Sequence, residues 1–423
     1  MGTLIAVVVT AVVTSLLTMV LYSILAREKK ITHRIEPLCG VADEQFERSM
    51  GGLLQPDIRP GNKVTPLING DRIFPAMLEA IRGARRSVTF ETFIYWSGKI
   101  GKEFADALAE RARAGVKVHV LIDWLGSKRI KEEYVEEMER AGVEVMRYHP
   151  LKWFNAWRIN HRTHRKLLVV DGVVGFTGGV GIADEWLGDA QDPQHWRDSH
   201  FKLEGPAVAQ MQAAFMDNWM KTHETVLHGP EYFPALEKAG SCKAQVFMSS
   251  PSEGSESARL MYLMSIASAR ESVRIANAYF VPDDLSVQTL VDATKRGVKV
   301  EIILPGKHID THVVRRAGRS RWGPLLEAGV AIYEFEPTMF HCKVMIVDGL
   351  WTTVGSTNFD NRSFRLNDEA NLNVLDPDFA HSQAEVFERD KARSRRITLK
   401  EWKNRPWTEK LKERTAGLLR AQL

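Results

Sequence analysis

The feature that most limits the fold is an internal duplication. Residues 80–96, AIRGARRSVTFETFIYW, resemble residues 265–281, SIASARESVRIANAYFV. AGVKVHVLID at 114–123 matches RGVKVEIILP at 296–305, and AGVEVMRYHP at 141–150 matches AGVAIYEFEP at 328–337. The offset stays at about 180 residues, far longer than a solenoid period, so the repeat is a whole domain. Each copy ends on the pattern H-x-K-x4-D: HRKLLVVD with His164, Lys166 and Asp171, and HCKVMIVD with His341, Lys343 and Asp348. Within each copy, apolar runs of strand length alternate with helical patterns of about 10–15 residues, which indicates an α/β fold with a partly parallel sheet.

The flanks of the duplication divide the chain. Residues 1–26 read as a membrane anchor, 27–60 as a connector, 61–238 as the first domain, 239–390 as the second and 391–423 as a basic tail. From Thr3 to Ala26 there is no charged residue, and a helix of that length spans about 36 Å against a hydrocarbon core of about 30 Å. A cleaved signal peptide would want basic residues before the apolar run and a shorter core, so an uncleaved transmembrane helix is expected. Arg27, Lys29, Lys30 and Arg34 follow it, and by the positive-inside rule the catalytic body lies in the cytoplasm. The tail holds eleven Lys and Arg against three Glu, with Trp402 and Trp407. It suits either a lipid surface or a helix packed on the second domain. A basic-aromatic stretch, HPLKWFNAWR, precedes the first motif, and its Trp153, Phe154 and Trp157 suit a membrane interface or a cover over the cleft. SSPSEGSES reads as a polar loop. Net charge is only +4 and no long basic stripe is present, which argues against a nucleic-acid partner.

The motif residues carry the chemistry. On a strand, His164 and Lys166 project from one face, as do His341 and Lys343, so each pair can share a phosphate. Asp171 and Asp348 fall on the opposite parity, at the strand end before a glycine; both belong to the candidate catalytic motif, with a turn-holding role rather than a part in proton transfer. The second motif is followed by GSTN, whose Ser356 and Asn358 offer donors to phosphoryl oxygens; the first copy reads GGVG there, with Gly178, Gly179 and Gly181. A histidine that attacks phosphorus must be neutral and one that protonates a leaving alcohol must be charged, and modest environmental shifts split a pair into these roles. A carboxylate on each far ring nitrogen would fix the tautomer, and Asp198 in HWRDSH and Glu369 in LNDEANL stand at parallel distances after the two motifs. A surface salt bridge or a helix cap is their alternative reading. Cys342 lies between His341 and Lys343 and reads as core packing. The three cysteines have no metal or disulfide spacing, and there is no Walker loop or HExxH, so neither metal nor cofactor is expected.

The paired motifs, with NHRTHRKLLVVDG, FTGGVGIADEW, HWRDSHFKLEGPAV and STNFDNRSFRLNDEANL, resemble the phospholipase D superfamily and, more narrowly, bacterial cardiolipin synthases. The resemblance covers residues 60 to 415 or so. It implies two tandem phospholipase D-like domains, mixed β-sheets flanked by helices and related by a pseudo-twofold axis, on a bacterial inner-membrane protein with one N-terminal span. It also implies phosphatidyl transfer between two phosphatidylglycerol molecules. His164 would be the nucleophile and His341 the acid and then base, with Lys166, Lys343, Ser356 and Asn358 on the phosphate. Hydrolysis by water, transfer to another alcohol and phosphatidylethanolamine as donor are the neighbouring alternatives, and a nuclease is the reading from another class.

Overall fold

The computed structural model describes residues 2–25, 31–150, 160–250, 256–420 and 422–423. Trp153, Phe154 and Trp157, the centre of the polar loop at 251–255, and Arg27, Lys29 and Lys30 lie outside the described residues. In the first half the strands are β1 (Arg59–Ile68), β2 (Ser87–Thr92), β3 (Lys117–Asp123), β4 (Glu144–Tyr148), β5 (Arg162–Thr163), β6 (Leu167–Val170), β7 (Val174–Gly178) and β8 (Ser199–Glu204). In the second half they are β9 (Cys242–Ser249), β10 (Ser272–Asn277), β11 (Phe280–Val281), β12 (Lys299–Pro305), β13 (Ala331–Phe335), β14 (Lys343–Val347), β15 (Trp351–Gly355), β16 (Phe359–Asp360), β17 (Asn367–Leu375) and β18 (Ser394–Ile397).

The main sheet runs β18-β13-β12-β10-β14-β15-β17-β9-β1-β8-β7-β6-β2-β3-β4. Its order is the duplication made visible. Reading outward from the antiparallel junction of β1 and β9, each half repeats the same sequence of partners, β8-β7-β6-β2-β3-β4 against β17-β15-β14-β10-β12-β13. Each half also repeats the same directions. β2, β3 and β4 are parallel, as are β10, β12 and β13, and the remaining matched pairs are antiparallel. An antiparallel junction between two like halves is what a pseudo-twofold axis produces.

Strands buried on both faces read as nearly unbroken apolar runs, and β2 and β14 have every residue buried. Helices cover both faces. The helices at 70–83 and 99–113 close the outer core of the first half, and those at 257–267 and 284–295 that of the second. A third cluster lies between the halves and draws on both, with Leu203, Phe215 and Trp219 beside Leu372, Phe379 and Phe387. Each such aliphatic or phenyl side chain contributes about 1.5–3 kcal/mol by leaving water, so this shared core fixes the two halves as one body.

Two stretches that the sequence presents as accessory join the fold. The connector forms a helix, Glu44–Leu54, that buries Phe46, Met50 and Leu54 against the second half. The basic tail adds β18 to the edge of β13 and then two helices, with a Thr398–Glu401 capping box starting the first. The N-terminal helix runs from Gly2 to Leu25, and its side chains from Gly2 to Thr18 are all exposed. Among the described residues, no helix is long and apolar enough to cross a membrane.

Candidate active site

Each motif enters the sheet at the pseudo-twofold, and each is held there by the other half. β5, just ahead of His164, pairs with the start of β17, and the His164 N–H donates to the Asp368 carbonyl at 2.8 Å. In the second motif the His341 N–H donates to the Arg197 carbonyl at 2.8 Å, beside an isolated bridge between Arg197 and Phe340. The regular strands β6 and β14 begin only at Leu167 and Lys343.

The rings follow the same crossing. His164 Nδ1 lies 3.1 Å from both carboxylate oxygens of Glu369, and His341 Nδ1 lies 2.8 Å from Asp198 Oδ2. The acid downstream of each motif therefore serves the histidine of the other motif. Both acids are buried, at 0% and 1% exposure for Asp198 and Glu369, which removes the surface-salt-bridge alternative. With Nδ1 facing a carboxylate, the nitrogen of each ring that points away from its acid is Nε2. Lys166 Nζ donates to the His164 carbonyl at 2.8 Å, and Lys343 Nζ to the His341 carbonyl at 2.7 Å. Asn358 is buried, and its Oδ1 has no hydrogen-bond partner.

Burial and like charge set the electrostatics. Burial pushes His164 down to about 4, against the pull of Glu369 and with a further push from Lys166. Burial, then Lys343, also lowers His341. Burial together with Lys343 brings Lys166 down to about 7, and burial lowers Lys343. Burial alone would raise Asp198 and Glu369, but the imidazole facing each, and then a lysine, carries both below the usual carboxylate range. Four basic groups thus crowd one dry site, where burial disfavours the charged form of each and a nearby phosphodiester's negative charge would favour it.

Asp171 and Asp348 stand elsewhere. Asp171 accepts the backbone N–H groups of Arg85, Arg86 and Ser87 at 2.7–3.1 Å, and Asp348 those of Arg270, Glu271 and Ser272 at 2.8 Å. Both occupy the left-handed region, at φ 54° and 50°, and each is followed by a glycine also at positive φ. This Asp-Gly pair turns β6 into β7 and β14 into β15. Ser356 also departs from expectation: its hydroxyl proton goes to Glu369 Oε2 at 2.5 Å, so it steadies an orienting acid and not a phosphate. Cys342 is buried in the core shared by the halves.

Several neighbours of the site carry no motif signal. Trp186 and Trp196 wall His341 with ring centroids 5.3 and 5.6 Å away, and Phe93 lies 5.3 Å from His164. Glu91 is buried near His164, bonded to Thr163 Oγ1 and Asn218 Nδ2, and burial pushes it up to about 7. His200, in the same HWRDSH string as Asp198, is buried with both ring nitrogens unpartnered. The strings HWRDSH and GIADEW hold Trp186, Trp196 and His200, and nothing in their spacing says which face the tryptophans take.

A family model described as cardiolipin synthase, phospholipase D-like domain, matches residues 77–219 and 262–391, one match per half. The chain is similar to cardiolipin synthase 1 of Bacillus cereus, with 35% identity over 358 residues, 82% of this chain and 70% of that protein. It is similar also to cardiolipin synthase A of Pseudomonas fluorescens, with 34% identity covering 85% of this chain and 74% of that protein. Among solved structures, phosphatidylserine synthase of Haemophilus influenzae superposes with a TM-score of 0.69 at 14% identity, covering 90% of this chain and 99% of that one, a likeness of fold. The matched strands, the crossed histidine–carboxylate pairs and these relatives agree: the chain belongs to the phospholipase D-like cardiolipin synthase family.

Proposed function

We propose that this protein is a cardiolipin synthase that moves a phosphatidyl group from one phosphatidylglycerol to the hydroxyl of another. The observation that carries this reading is the pair of crossed Nδ1–carboxylate contacts, which leave two Nε2 atoms and two lysines to converge on one phosphodiester. His164, neutral at physiological pH by virtue of its burial, attacks phosphorus through Nε2. The bond from phosphorus to the glycerol oxygen breaks, and His341, charged once the lipid phosphate is beside it, gives that oxygen its proton. Glycerol leaves and a phosphatidyl-histidine remains. The hydroxyl of the second phosphatidylglycerol then gives its proton to His341 and attacks phosphorus; the P–N bond breaks and His164 returns to its neutral form. Lys166, Lys343 and the Nδ2–H group of Asn358 are donors that suit the phosphoryl oxygens.

Membrane attachment belongs to the same reading. The helix Gly2–Leu25 carries no charge and exposes apolar side chains such as Leu4, Val7, Leu16 and Leu17, as a lipid-facing segment would. The basic residues after it favour the catalytic body on the cytoplasmic side. The full chain in vesicles of labelled phosphatidylglycerol should convert label to cardiolipin with release of glycerol. Phosphatidic acid as the sole product would overturn the synthase reading.

A further inference from the structure

The two halves differ where their histidines are steadied, and the difference resolves an asymmetry of the sequence. In the second half Ser356 donates its hydroxyl to Glu369, which holds His164. The matching residue in the first half is Gly179, which has no hydroxyl to give. The acid there is Asp198, one methylene shorter than Glu369, and its carboxylate lies over position 179: a Cβ on Gly179 would stand 2.2 Å from Asp198 Oδ1. A serine there would force the Asp198 carboxylate off the His341, Trp186 and Ser199 N–H groups that hold it.

The missing donor comes from another element. The indole Nε1–H of Trp186 donates at 3.0 Å to Asp198 Oδ2, the oxygen that also takes His341 Nδ1. Trp186 is 1% exposed and stands on a short turn, Asp184–Trp186, whose Asp184 accepts the N–H groups of Lys99 and Ile100. Its ring meets Trp196 at 4.5 Å and His341 at 5.3 Å. Asp198 Oδ1 takes the Ser199 N–H at 2.8 Å, so Oδ2 is the oxygen left to be shared by the imidazole and the indole.

We infer that Trp186 is a positioning residue for His341, acting through Asp198 as Ser356 acts on His164 through Glu369. A donor on the carboxylate disperses part of its charge, so it holds the imidazolium less tightly and sets the pH at which His341 loses its proton. Besides Asp198, the charged or titratable groups facing His341 among the described residues are Lys343 from its own motif and Asp310 and Tyr279 from the loops beside it. None of them is touched by a change confined to the indole nitrogen. This inference rests on the two-histidine mechanism proposed above.

The test is the pH profile of kcat/KM for cardiolipin formation by the full chain in phosphatidylglycerol vesicles. Trp186→Phe removes the N–H and keeps a ring; benzothienylalanine at position 186 replaces N–H by sulfur in the same shape and guards against misfolding. Removing the donor makes Asp198 more basic and raises His341, so the limb on which activity falls with rising pH should move upward, on the order of one pH unit. Ser356→Ala should move the other limb, on which activity rises with pH, in the same direction. If Trp186 moves the rising limb and Ser356 the falling one, the positioning role stands and the assignment of acid and nucleophile is reversed. If both Trp186 variants fold and neither limb moves, the inference is overturned. A wild-type chain that makes no cardiolipin would instead sink the proposed function.

Discussion

Asp171 tests whether a residue of the repeated motif is structural. The substitution Asp171→Ala removes three hydrogen bonds from a carboxylate to the N–H groups of residues 85–87. These lie near the surface, where water replaces part of each loss, so about 1 kcal/mol apiece is appropriate, or about 2–3 in all. Alanine must also adopt φ near 54°, which costs roughly 1 kcal/mol more. Unfolding entropy of about 2.1 cal/mol/K per residue, over 423 residues, gives roughly 0.9 kcal/mol/K. The expected fall in Tm is therefore about 4 °C if the chain unfolds as one unit, and about twice that if the first half unfolds alone. Asp171→Asn keeps a side chain at home in the left-handed region and one amide oxygen as acceptor, so its loss should be near 1 kcal/mol. Thermal unfolding and lipid turnover, the latter measured well below Tm, separate the two roles. Turnover per folded molecule should stay within a factor of two or so of wild type for Asp171→Asn. A kcat more than about tenfold lower, with Tm unchanged, would show that Asp171 acts in the chemistry and would refute the turn-holding account.

Three further outcomes bear on the site. His164→Ala and His341→Ala should each reduce cardiolipin formation to background in the labelled-lipid assay, and an active His341→Ala chain would refute the two-histidine scheme. Glu369→Gln should lower kcat by roughly 10²–10⁴-fold through the wrong tautomer at His164. The trapped phospho-histidine should then disappear from peptides containing residue 164, as read by mass spectrometry under alkaline conditions; undiminished trapping at that residue would break the cross-half assignment. The third concerns pH. His164 and His200 are held at about 4 and about 3 in the fold, below their ordinary 6.5. The unfolded chain thus binds more protons between those values, and stability falls as pH drops from about 6.5 toward 4 and below. Tm measured across that window should decline less steeply for His200→Asn than for wild type.

The sequence discloses the halves of this site better than it discloses how they meet. Repetition of GVKV and AGV patterns, with alternating strand and helix lengths, is enough for two α/β domains, because burial on both sheet faces writes itself as apolar runs. Period-two parity sets Asp171 apart from His164 and Lys166, and Asp171 does hold the turn, although the regular strand on which that parity rests starts only at Leu167. What parity cannot carry is contact across a symmetry axis. Asp198 follows the first motif and Glu369 the second, and nothing local says that each acid crosses to the other histidine. Ser356 looks like a phosphate donor for the same reason: its hydroxyl has a partner only once Glu369, thirteen residues on, folds back against it. The connector's Phe46, Met50 and Leu54 are legible as an amphipathic helix only when the surface they cover is known.

The crossing also gives a physical reason for two halves in one chain. An isolated half would keep its histidine and lysine, yet lose the carboxylate on Nδ1 and the main-chain acceptor for the histidine N–H, both of which come from the other half. Its strand pair at the axis and the apolar core shared across it would be exposed to water as well. Stability and tautomer are thus settled at one interface, and a change there acts on both. Identical halves would give two histidines with like surroundings and like proton affinities, whereas the proposed mechanism calls for one neutral and one charged ring at the same pH. Glu369 with Ser356 on one side, and Asp198 with Gly179 and Trp186 on the other, break that equivalence while keeping the backbone frame. On the proposed mechanism, the divergence of GGVG from GSTN would give two copies of one motif unequal proton chemistry, with the shorter acid and the tryptophan as its two other parts.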